Sequence, residues 1–463
     1  MAKAICWIRR DLRLNDHHAL YEACSTHESV VVVFVFDTQI LDQIRDRKDR
    51  RVTFILESLH ELDRKLRLHG SQLLVLHGDP VEEIPKLARQ LGVKTVIAAR
   101  DFEPYALQRD EQVCTILEKI GVHFRTVKDQ VIFEKGEVLS KAESPFRVFT
   151  PYSRRWLERF QPRDDAAEYV ADLSHLMPAS EIKDLSIPLE YGRIDFEKND
   201  LWLSPGEDAG SALLQSFENR ISHYRDHRNF PAEDATSHLS VHFRFGTVSI
   251  REAVRIIQRI HNDGAETWLK ELIWREFYQD ILANHPNVVN STFDPQYKDL
   301  VWPGDDEHFR LWCEGKTGYP LVDAAMRCFN ETGWMHNRLR MIVASFLTKD
   351  LLIDYRKGEQ YFADCLLDFD LASNNGGWQW AASVGCDAQP YFRIFNPYLQ
   401  SRKFDVGGLF IRQWVPELSG LDGESIHCPG AMDVELCGYM HPIVDHDAQR
   451  RRAITLFETA RVS

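Results

Sequence analysis

The segment 271–282, ELIWREFYQDIL, places an acid, a cation and two aromatic rings on one face of a predicted helix. Glu271, Trp274, Arg275 and Tyr278 follow the i, i+3, i+4, i+7 spacing, and the apolar residues between them form a separate stripe. Such a face combines a proton-exchanging group, an anion-binding group and stacking surface. The alternative is an ordinary amphipathic helix with an exposed Glu271–Arg275 pair, worth about 0.3–0.5 kcal/mol.

A second candidate helix covers residues 333–352, GWMHNRLRMIVASFLTKDLL. Its apolar residues bury one side, whereas Asn337, Arg340 and Met341 share another side. Arg338 and Arg340 point in different directions, so they can serve two different anions. The alternative is that these charges only mark the start of a helix.

The segment 371–380, LASNNGGWQW, contains two tryptophans two residues apart, directly after two glycines. On a helix, residues with this spacing are separated by about 200°. Trp378 and Trp380 are therefore expected to face nearly opposite directions, one toward the interior and one toward an outward cavity. A purely structural pair would prefer i, i+3 or i+4 spacing.

Short hydroxyl side chains cluster in residues 236–246, TSHLSVHFRFG. Thr236, Ser237 and Ser240 are suited to bind phosphate oxygens at a helix start. Simple helix capping is the alternative.

The first 130 residues alternate between apolar runs and helical stretches. This alternation predicts a parallel α/β sheet of the Rossmann-like type, with helices on both faces and ligands at the carboxyl ends of the strands. No GxGxxG motif follows the first strand, so the sequence does not predict the usual dinucleotide-binding loop. The predicted strands are 3–10, 29–37, 71–78, 94–101 and 121–129, and the predicted helices are 50–69, 81–90 and 106–120.

The rest of the chain predicts two further regions. Residues 131–210 form an interdomain connector, whose acidic, proline-bearing part is poorly periodic. Residues 211–463 form a large, nearly all-helical domain. Its helical patterns cover 210–227, 248–262, 266–284, 319–331, 337–353 and 357–366.

Composition excludes several classes of protein. The 463 residues carry a net charge of −14, which argues against broad non-specific nucleic-acid binding. No long apolar run predicts a membrane span, and the charged N-terminus argues against export. Nine cysteines without a CxxC motif indicate free thiols in a reducing compartment, and no zinc-binding pattern occurs. We expect a cytoplasmic monomer without a metal.

Four motifs together resemble one known family. They are ELIWREFY, EGKTGYPLVDAAMR, GWMHNRLRMIVASFLTKDLLID and LDFDLASNNGGWQWAAS, the last followed by PYFRIFNP. The chain resembles the class I cyclobutane pyrimidine dimer photolyases of the photolyase/cryptochrome family over essentially its whole length. The resemblance implies a carbon–carbon lyase that uses light to repair dimers in DNA. Excited, reduced, anionic FAD gives an electron to the flipped-out dimer, the ring bonds break, and the electron returns.

The resemblance also assigns residues. Glu271, Asn374 and Met341 are implied as catalytic: Glu271, if protonated, donates to the charged dimer, Met341 contacts it and Asn374 faces flavin N5. Plant cryptochromes carry Asp at that position and animal ones Cys, so Asn374 favours repair over signalling. The implied DNA contacts are Trp274, Arg338, Met341, Trp380 and Gln400. The implied FAD contacts are Tyr224, Thr236, Ser237, Leu239, Ser240, Arg275, Asn337, Arg340, Asp368, Asp370 and Asn374, with Arg340 paired to Asp368.

The chain departs from the family in its electron relay. Trp378 and Trp302 match the inner and outer tryptophans of the relay that photoreduces FAD, but the middle position is Tyr355. We expect photoreduction to be slower, or to pass through another aromatic residue such as Trp312.

A second departure concerns the antenna pigment. Folate-binding members carry an Asn-Glu pair where this chain has Ala106 and Leu107. The segment 100–110 resembles the deazaflavin-binding type, with Asp101 and Glu103 as candidate contacts. Deazaflavin and methenyltetrahydrofolate are both retained as candidates. The alternative is that the segment only starts a helix.

Two other function classes compete with repair. A cryptochrome would signal through partner proteins, and many append a long tail, which this chain does not carry after FIRQW. A non-catalytic nucleotide-binding protein is suggested only by the first 130 residues.

Overall fold

The computed structural model describes residues 2–462, and the side chains of residues 2–460. The chain forms two compact units. Unit 1 comprises Met1–Glu143, Arg154–Ile221 and Ser237–Glu276, and unit 2 comprises Ser144–Ser153, Ser222–Thr236 and Phe277–Ser463. Each unit draws on three stretches of chain, and the domain boundaries at 130 and 210 stay predictions.

Unit 1 contains a five-stranded sheet in which every neighbouring pair is parallel. The strands are β1 (Lys3–Ile8), β2 (Ser29–Asp37), β3 (Leu74–Gly78), β4 (Thr95–Ala99) and β5 (His123–Val127), in the order β3-β2-β1-β4-β5. β2 reads SVVVVFVFD and is buried along nearly its whole length, as expected for a strand covered on both faces. The predicted parallel α/β fold is confirmed. Because the order reverses between β1 and β4, a crevice opens beyond their carboxyl ends.

The helices up to residue 262 lie mostly between and after these strands. They are α1 (His18–Thr26), α2 (Thr38–Leu41), α3 (Arg50–Leu68), α4 (Pro80–Leu91), α5 (Pro104–Lys119), α6 (Phe149–Arg159), α7 (Pro162–Asp165), α8 (Ala179–Ile182), α9 (Glu207–Glu218), α10 (Tyr224–His227), α11 (Ser240–Phe245) and α12 (Ile250–Arg259). The segment 131–210 thus contains more helix than its weak periodicity indicates. The continuous helix expected over 210–227 is wrong, because α9 ends at Glu218 and a 3-10 turn precedes α10.

The remaining chain is helical, as predicted. Its helices are α13 (Asp263–Asn284), α14 (Asp306–Cys313), α15 (Pro320–Thr332), α16 (Asn337–Ser345), α17 (Tyr355–Cys365), α18 (Leu371–Ala382), α19 (Pro397–Phe404), α20 (Leu409–Trp414), α21 (Ala431–Cys437) and α22 (His446–Val462). Over residues 2–462, no helix is both long and apolar enough to cross a membrane.

The helix expected over 337–353 is interrupted. α16 ends at Ser345, a π-helical turn covers Phe346–Asp350, and Leu352 has a φ of 54°. The wide turn places Lys349 in the interior, where its Nζ donates to the carbonyl oxygen of Ala382 at 3.1 Å. This bond joins distant parts of the chain, so local sequence periodicity cannot reveal it.

Candidate active site

Helix α18 carries the NNGGWQW motif, and its two glycines have different surroundings. A Cβ at Gly376 would overlap the Tyr278 ring, whereas a Cβ at Gly377 would meet no atom within 4 Å. Gly376 therefore permits close packing, and Gly377 leaves an open surface on the helix face that also carries Asn374. Asp370 caps the helix, accepting from the Ser373 amide at 2.9 Å.

A buried network of amides holds α18 in place. Asn374 donates through Nδ2 to the backbone carbonyl oxygen of Glu359 at 3.0 Å. Asn375 donates to the Glu359 carboxylate at 2.9 Å and to the Val288 carbonyl at 3.0 Å, and Gln379 donates to the same carbonyl at 3.0 Å. Because the Glu359 carbonyl oxygen can only accept, the Asn374 amide turns its Nδ2 toward it, and its Oδ1 faces the opposite way as an acceptor.

Glu359 belongs to this network and was not predicted as a site residue. Burial raises the pKa of its carboxyl group to about 7, against the opposing effect of the Asn375 hydrogen bond. The sequence signal that we missed is the i, i+4 pair of amides, Asn375 and Gln379. These residues are buried and bind main-chain groups, so they position Asn374.

The two tryptophans of α18 occupy different environments. Trp378 is 3% exposed and its ring contacts those of Phe362 at 5.0 Å and Trp312 at 6.1 Å. Its indole also packs on Gly358, where a Cβ would overlap it. Trp380 is only partly buried. The difference agrees with the separation expected on a helix.

The pairing expected between Arg340 and Asp368 is present. The Arg340 Nη2 lies 2.8 Å and 3.0 Å from the two carboxylate oxygens, and its Nε donates to the Met335 carbonyl at 2.8 Å. The Asp368 side chain is 3% exposed and that of Arg340 is 28% exposed. Arg340 thereby compensates the negative charge of the nearly buried Asp368 carboxylate. The Arg340 Nη1 takes part in none of these hydrogen bonds.

Arg338 points elsewhere, as the sequence predicts. Its Nη2 donates to the Asn229 Oδ1 at 2.6 Å, and its guanidinium lies 4.5 Å from the centre of the Phe404 ring. Its Nη1 lies 3.8 Å from the Met341 sulfur, and Asn337 lies 4.0 Å from the same sulfur. Asn229 and Phe404 hold this cation in place, and neither was predicted from the sequence.

The site residues predicted from the sequence divide between the two units. Unit 1 carries Ser237, Leu239, Ser240, Glu271, Trp274 and Arg275. Unit 2 carries Tyr224, Thr236, Trp302, Asn337, Arg338, Arg340, Met341, Tyr355, Asp368, Asp370, Asn374, Trp378, Trp380 and Gln400.

In unit 1, helix α13 is tied to the segment 130–133. Arg275 donates to the Gln130 carbonyl at 2.7 Å. The neighbouring Glu276 accepts from the Ile132 amide at 2.7 Å and from the Trp156 indole at 2.5 Å. Burial raises the pKa of Glu276 to about 7, and these hydrogen bonds oppose the shift. Glu276 therefore anchors the helix that presents Glu271 and Trp274.

Also in unit 1, α11 begins at Ser240 with Leu239 at the N-cap and no side-chain cap. Ser237 accepts through Oγ from the Leu239 amide at 3.4 Å. The Ser237 hydroxyl therefore accepts from the residue at the N-cap itself, and phosphate binding by the hydroxyl cluster stays a prediction.

The crevice beyond β1 and β4 is lined by charges. Arg10 lies 3.4 Å from the Asp101 carboxylate and 2.9 Å from that of Glu103, and Arg244 also lies 2.9 Å from Glu103. Burial opposes ionisation of Asp101, but Arg10 and then Arg9 hold its pKa below its usual range. Both carboxylates predicted as antenna contacts are thus already engaged by arginines.

A flavin fits the residues of α18 and its neighbours. Gly377 leaves open space beside the Asn374 Oδ1, an acceptor suited to a ring N–H of reduced flavin. The partly exposed Arg340 guanidinium suits an anionic ring.

Comparisons with known proteins identify the family of the chain. The family model described as the FAD binding domain of DNA photolyase matches residues 268–459, and the model described as DNA photolyase matches residues 4–171. The deoxyribodipyrimidine photo-lyase of Vibrio cholerae is 40% identical over 472 residues, covering 99% of each chain.

Two solved structures are similar along the whole chain. A bacterial class III photolyase from Agrobacterium tumefaciens has a TM-score of 0.91 at 33% identity, covering 100% of this chain and 98% of that one. An archaeal photolyase from Sulfolobus tokodaii, solved with two FAD molecules, has a TM-score of 0.85 at 31% identity, covering 99% and 100%. By sequence and by fold, this chain belongs to the DNA photolyase family.

Proposed function

We propose that this protein is a light-driven lyase that splits cyclobutane pyrimidine dimers in DNA. The observation that carries the proposal is the arrangement of α18, in which Glu359 orients Asn374 beside the open edge at Gly377. FAD, when bound in its reduced anionic form, supplies the light-driven electron that opens the dimer. The class I assignment, a monomeric state and a cytoplasmic location belong to the same proposal.

Asn374 and Arg340 would position the flavin. The Asn374 Oδ1 would accept from the ring N–H, and the Glu359 carbonyl keeps the amide from rotating. Arg340, held by Asp368 and Met335, would place positive charge beside the ring. Both groups are held by hydrogen bonds within the chain, so binding of the cofactor would cost little reorganisation. Tyr224, Thr236, Ser237, Leu239 and Ser240 would hold the phosphates and the ribityl chain.

Trp274, Trp380, Arg338 and Met341 would receive the lesion. A cross-linked pyrimidine pair stacks and pairs poorly, so flipping it out costs less than flipping a normal base. Indole faces contribute on the order of 1–3 kcal/mol per stacked base. Arg338 would bind the phosphate that bends out with the dimer, and Met341 would give a polarizable contact. With few phosphate contacts, a chain of net charge −14 can still bind damaged DNA.

Glu271 would stabilise the charge that develops on the pyrimidine carbonyls. A protonated carboxyl group within hydrogen-bond reach donates to such an oxygen. Glu271→Gln keeps a donor and is expected to retain most of the repair yield, whereas Glu271→Leu removes it. Equal yields in these two variants would exclude the role.

A second pigment, deazaflavin or methenyltetrahydrofolate, would transfer excitation from unit 1. The charged crevice containing Asp101 and Glu103 supports a polar ring system there. Mass spectrometry of the pigment released from the purified protein would identify it.

The proposed repair is tested with ultraviolet-irradiated oligo(dT) and protein whose FAD is chemically reduced. Blue light should restore the ultraviolet absorbance of the thymine rings, and darkness should not. No recovery in the light would instead favour a photosensor of the cryptochrome type.

A further inference from the structure

The aromatic contacts of Trp378 continue to the surface of unit 2 along one line of oxidisable rings. Trp378 contacts Trp312 in a T-shaped arrangement, with ring centres 6.1 Å apart. Trp312 contacts Tyr361 in the same manner, with ring centres 5.9 Å apart. Trp378 and Trp312 are buried at 3% and 0% exposure, whereas Tyr361 is only partly buried. Phe362 packs against both tryptophans.

The position that matches the family relay offers a less favourable site for an electron hole. The side chain of Tyr355 is 1% exposed, and burial raises the pKa of its hydroxyl to about 12. The guanidinium of Arg356 lies 5.1 Å from the centre of its ring. Arg356 is paired with Asp354 at 3.0 Å, so its charge is largely compensated. What separates Tyr355 from Trp312 is therefore its contact with other rings. Among the described residues, no aromatic ring contacts Tyr355 as Trp312 contacts Trp378.

Tyr361 is better placed as the last member of such a route. Its hydroxyl donates to the Asn330 Oδ1 at 2.7 Å and, more weakly, to the Cys313 carbonyl at 3.4 Å. Burial, and then the nearby Cys365 and Cys313 thiols, raise the pKa of its hydroxyl. These neighbours are neutral, so none of them repels the positive charge that forms when the Tyr361 ring is oxidised.

We propose that the chain supplies electrons to its flavin through Trp378, Trp312 and Tyr361, with Tyr361 as the exit to solvent. The inference rests on the proposed function, because Trp378 gives its electron to light-excited, oxidised FAD. Trp312 then gives one electron to Trp378, and Tyr361 gives one to Trp312. The O–H bond of Tyr361 breaks, its proton passes to water, and a neutral tyrosyl radical remains. A small thiol in solution returns a hydrogen atom to Tyr361, and two of the resulting thiyl radicals join as a disulfide.

The test follows radicals after a laser flash in the full-length protein containing oxidised FAD. Transient absorption and electron paramagnetic resonance, with ring-deuterated tyrosine, should detect a neutral tyrosyl radical. Tyr361→Phe should abolish that radical and leave a tryptophanyl radical in its place. Tyr391→Phe, which removes the hydroxyl of a partly buried ring stacked on Phe457, is the matched control and should keep the tyrosyl signal.

Trp312→Phe should abolish every long-lived radical, because it interrupts the line between Trp378 and Tyr361. A tyrosyl radical that survives in Tyr361→Phe but disappears in Tyr355→Phe would overturn the inference. So would a long-lived tryptophanyl radical that disappears only in Trp302→Phe. Since Tyr361→Phe removes only one oxygen, failure to fold is not expected to obscure the result.

The wild-type protein also distinguishes this inference from the proposed function. With FAD chemically reduced beforehand, dimer repair does not require electron supply from tryptophan or tyrosine. Absent repair under those conditions would remove the proposed function, whereas the tyrosyl radical tests the route itself.

Discussion

The side-chain amide of Asn374 and the main-chain carbonyl of Glu359 form a hydrogen bond of 3.0 Å that fixes which face of the amide looks outward. The bond joins α18 to α17 and leaves the Asn374 Oδ1 as an acceptor. Asparagine is the residue that makes this possible, because its amide both donates to the carbonyl and presents an acceptor on the opposite side.

Replacing Asn374 by Asp should impair repair. An aspartate cannot donate to the Glu359 carbonyl, and the two oxygens repel each other. The carboxylate would no longer hold the flavin in place, so we expect roughly a tenfold fall in repair rate under saturating blue light, equivalent to about 1.4 kcal/mol in the activation barrier. The measurement uses chemically reduced FAD. Asn290→Asp, the same change at an exposed position, is the control and should repair like wild type.

Glu359→Gln should alter how stability depends on pH. Burial raises the pKa of Glu359 to about 7, so the folded protein holds this proton more tightly than the unfolded chain. The resulting stabilisation is complete at low pH and is lost as pH rises through about 7. Between roughly pH 5 and pH 8, the free energy of unfolding of wild type should fall by on the order of 2–3 kcal/mol relative to Glu359→Gln. Urea unfolding at both pH values measures the difference, and parallel curves for the two proteins would exclude the effect.

Arg340→Met should destabilise the protein and reduce its FAD content. The Asp368 carboxylate, 3% exposed, would lose its cation. Leaving a buried acceptor unsatisfied costs about 1–3 kcal/mol, and more when it is charged. Arg356→Met breaks a comparable pair with Asp354 whose side chains are 42% and 29% exposed. Because exposed pairs contribute about 0–1 kcal/mol, this control should shift the urea midpoint much less. Equal shifts would mean that the burial of Asp368 is unimportant.

Arg338→Gln should weaken binding to DNA that contains a dimer. Phe404 and Asn229 hold the guanidinium in place, so it is ready to bind a phosphate. Loss of one phosphate contact lowers the salt dependence of binding, with a change of about 1 in the slope of log K against log salt. Fluorescence anisotropy across a salt series measures this slope. Arg310→Gln removes an exposed arginine paired with Glu307 and Glu314, and its slope should stay at the wild-type value.

Much of the fold follows from local sequence patterns, and the exceptions have identifiable causes. The run of valines in β2 predicts a buried parallel strand, because successive side chains point to opposite faces of the sheet and all of them are apolar. The π-helical turn at Phe346–Asp350 brings Lys349 to the Ala382 carbonyl, a contact that no local pattern encodes. α6 was missed because its packing relies on Trp156, whose partner Glu276 lies 120 residues away.

Some residues of the candidate site could be predicted from the sequence and others could not. Residue type and helical spacing correctly separate Arg338 from Arg340 and Trp378 from Trp380. The supporting residues Asn229 and Phe404 could not be found from the sequence, because each acts through a contact with a residue distant along the chain. Glu359 is indicated only indirectly, by the Asn375 and Gln379 pair that packs beside it. The sequence around each of these residues predicts only an ordinary helix or loop.

The central claim is that light and reduced FAD in this protein split a pyrimidine dimer in DNA. The most direct measurement uses an oligonucleotide with a single cis-syn thymine dimer inside a restriction site, and a second with a (6-4) lesion at the same position. After blue light and chemically reduced FAD, the restriction enzyme should cut the first oligonucleotide and not the second. It should cut neither after incubation in the dark. Cutting in the dark, or an uncut cis-syn substrate after illumination, would contradict the account.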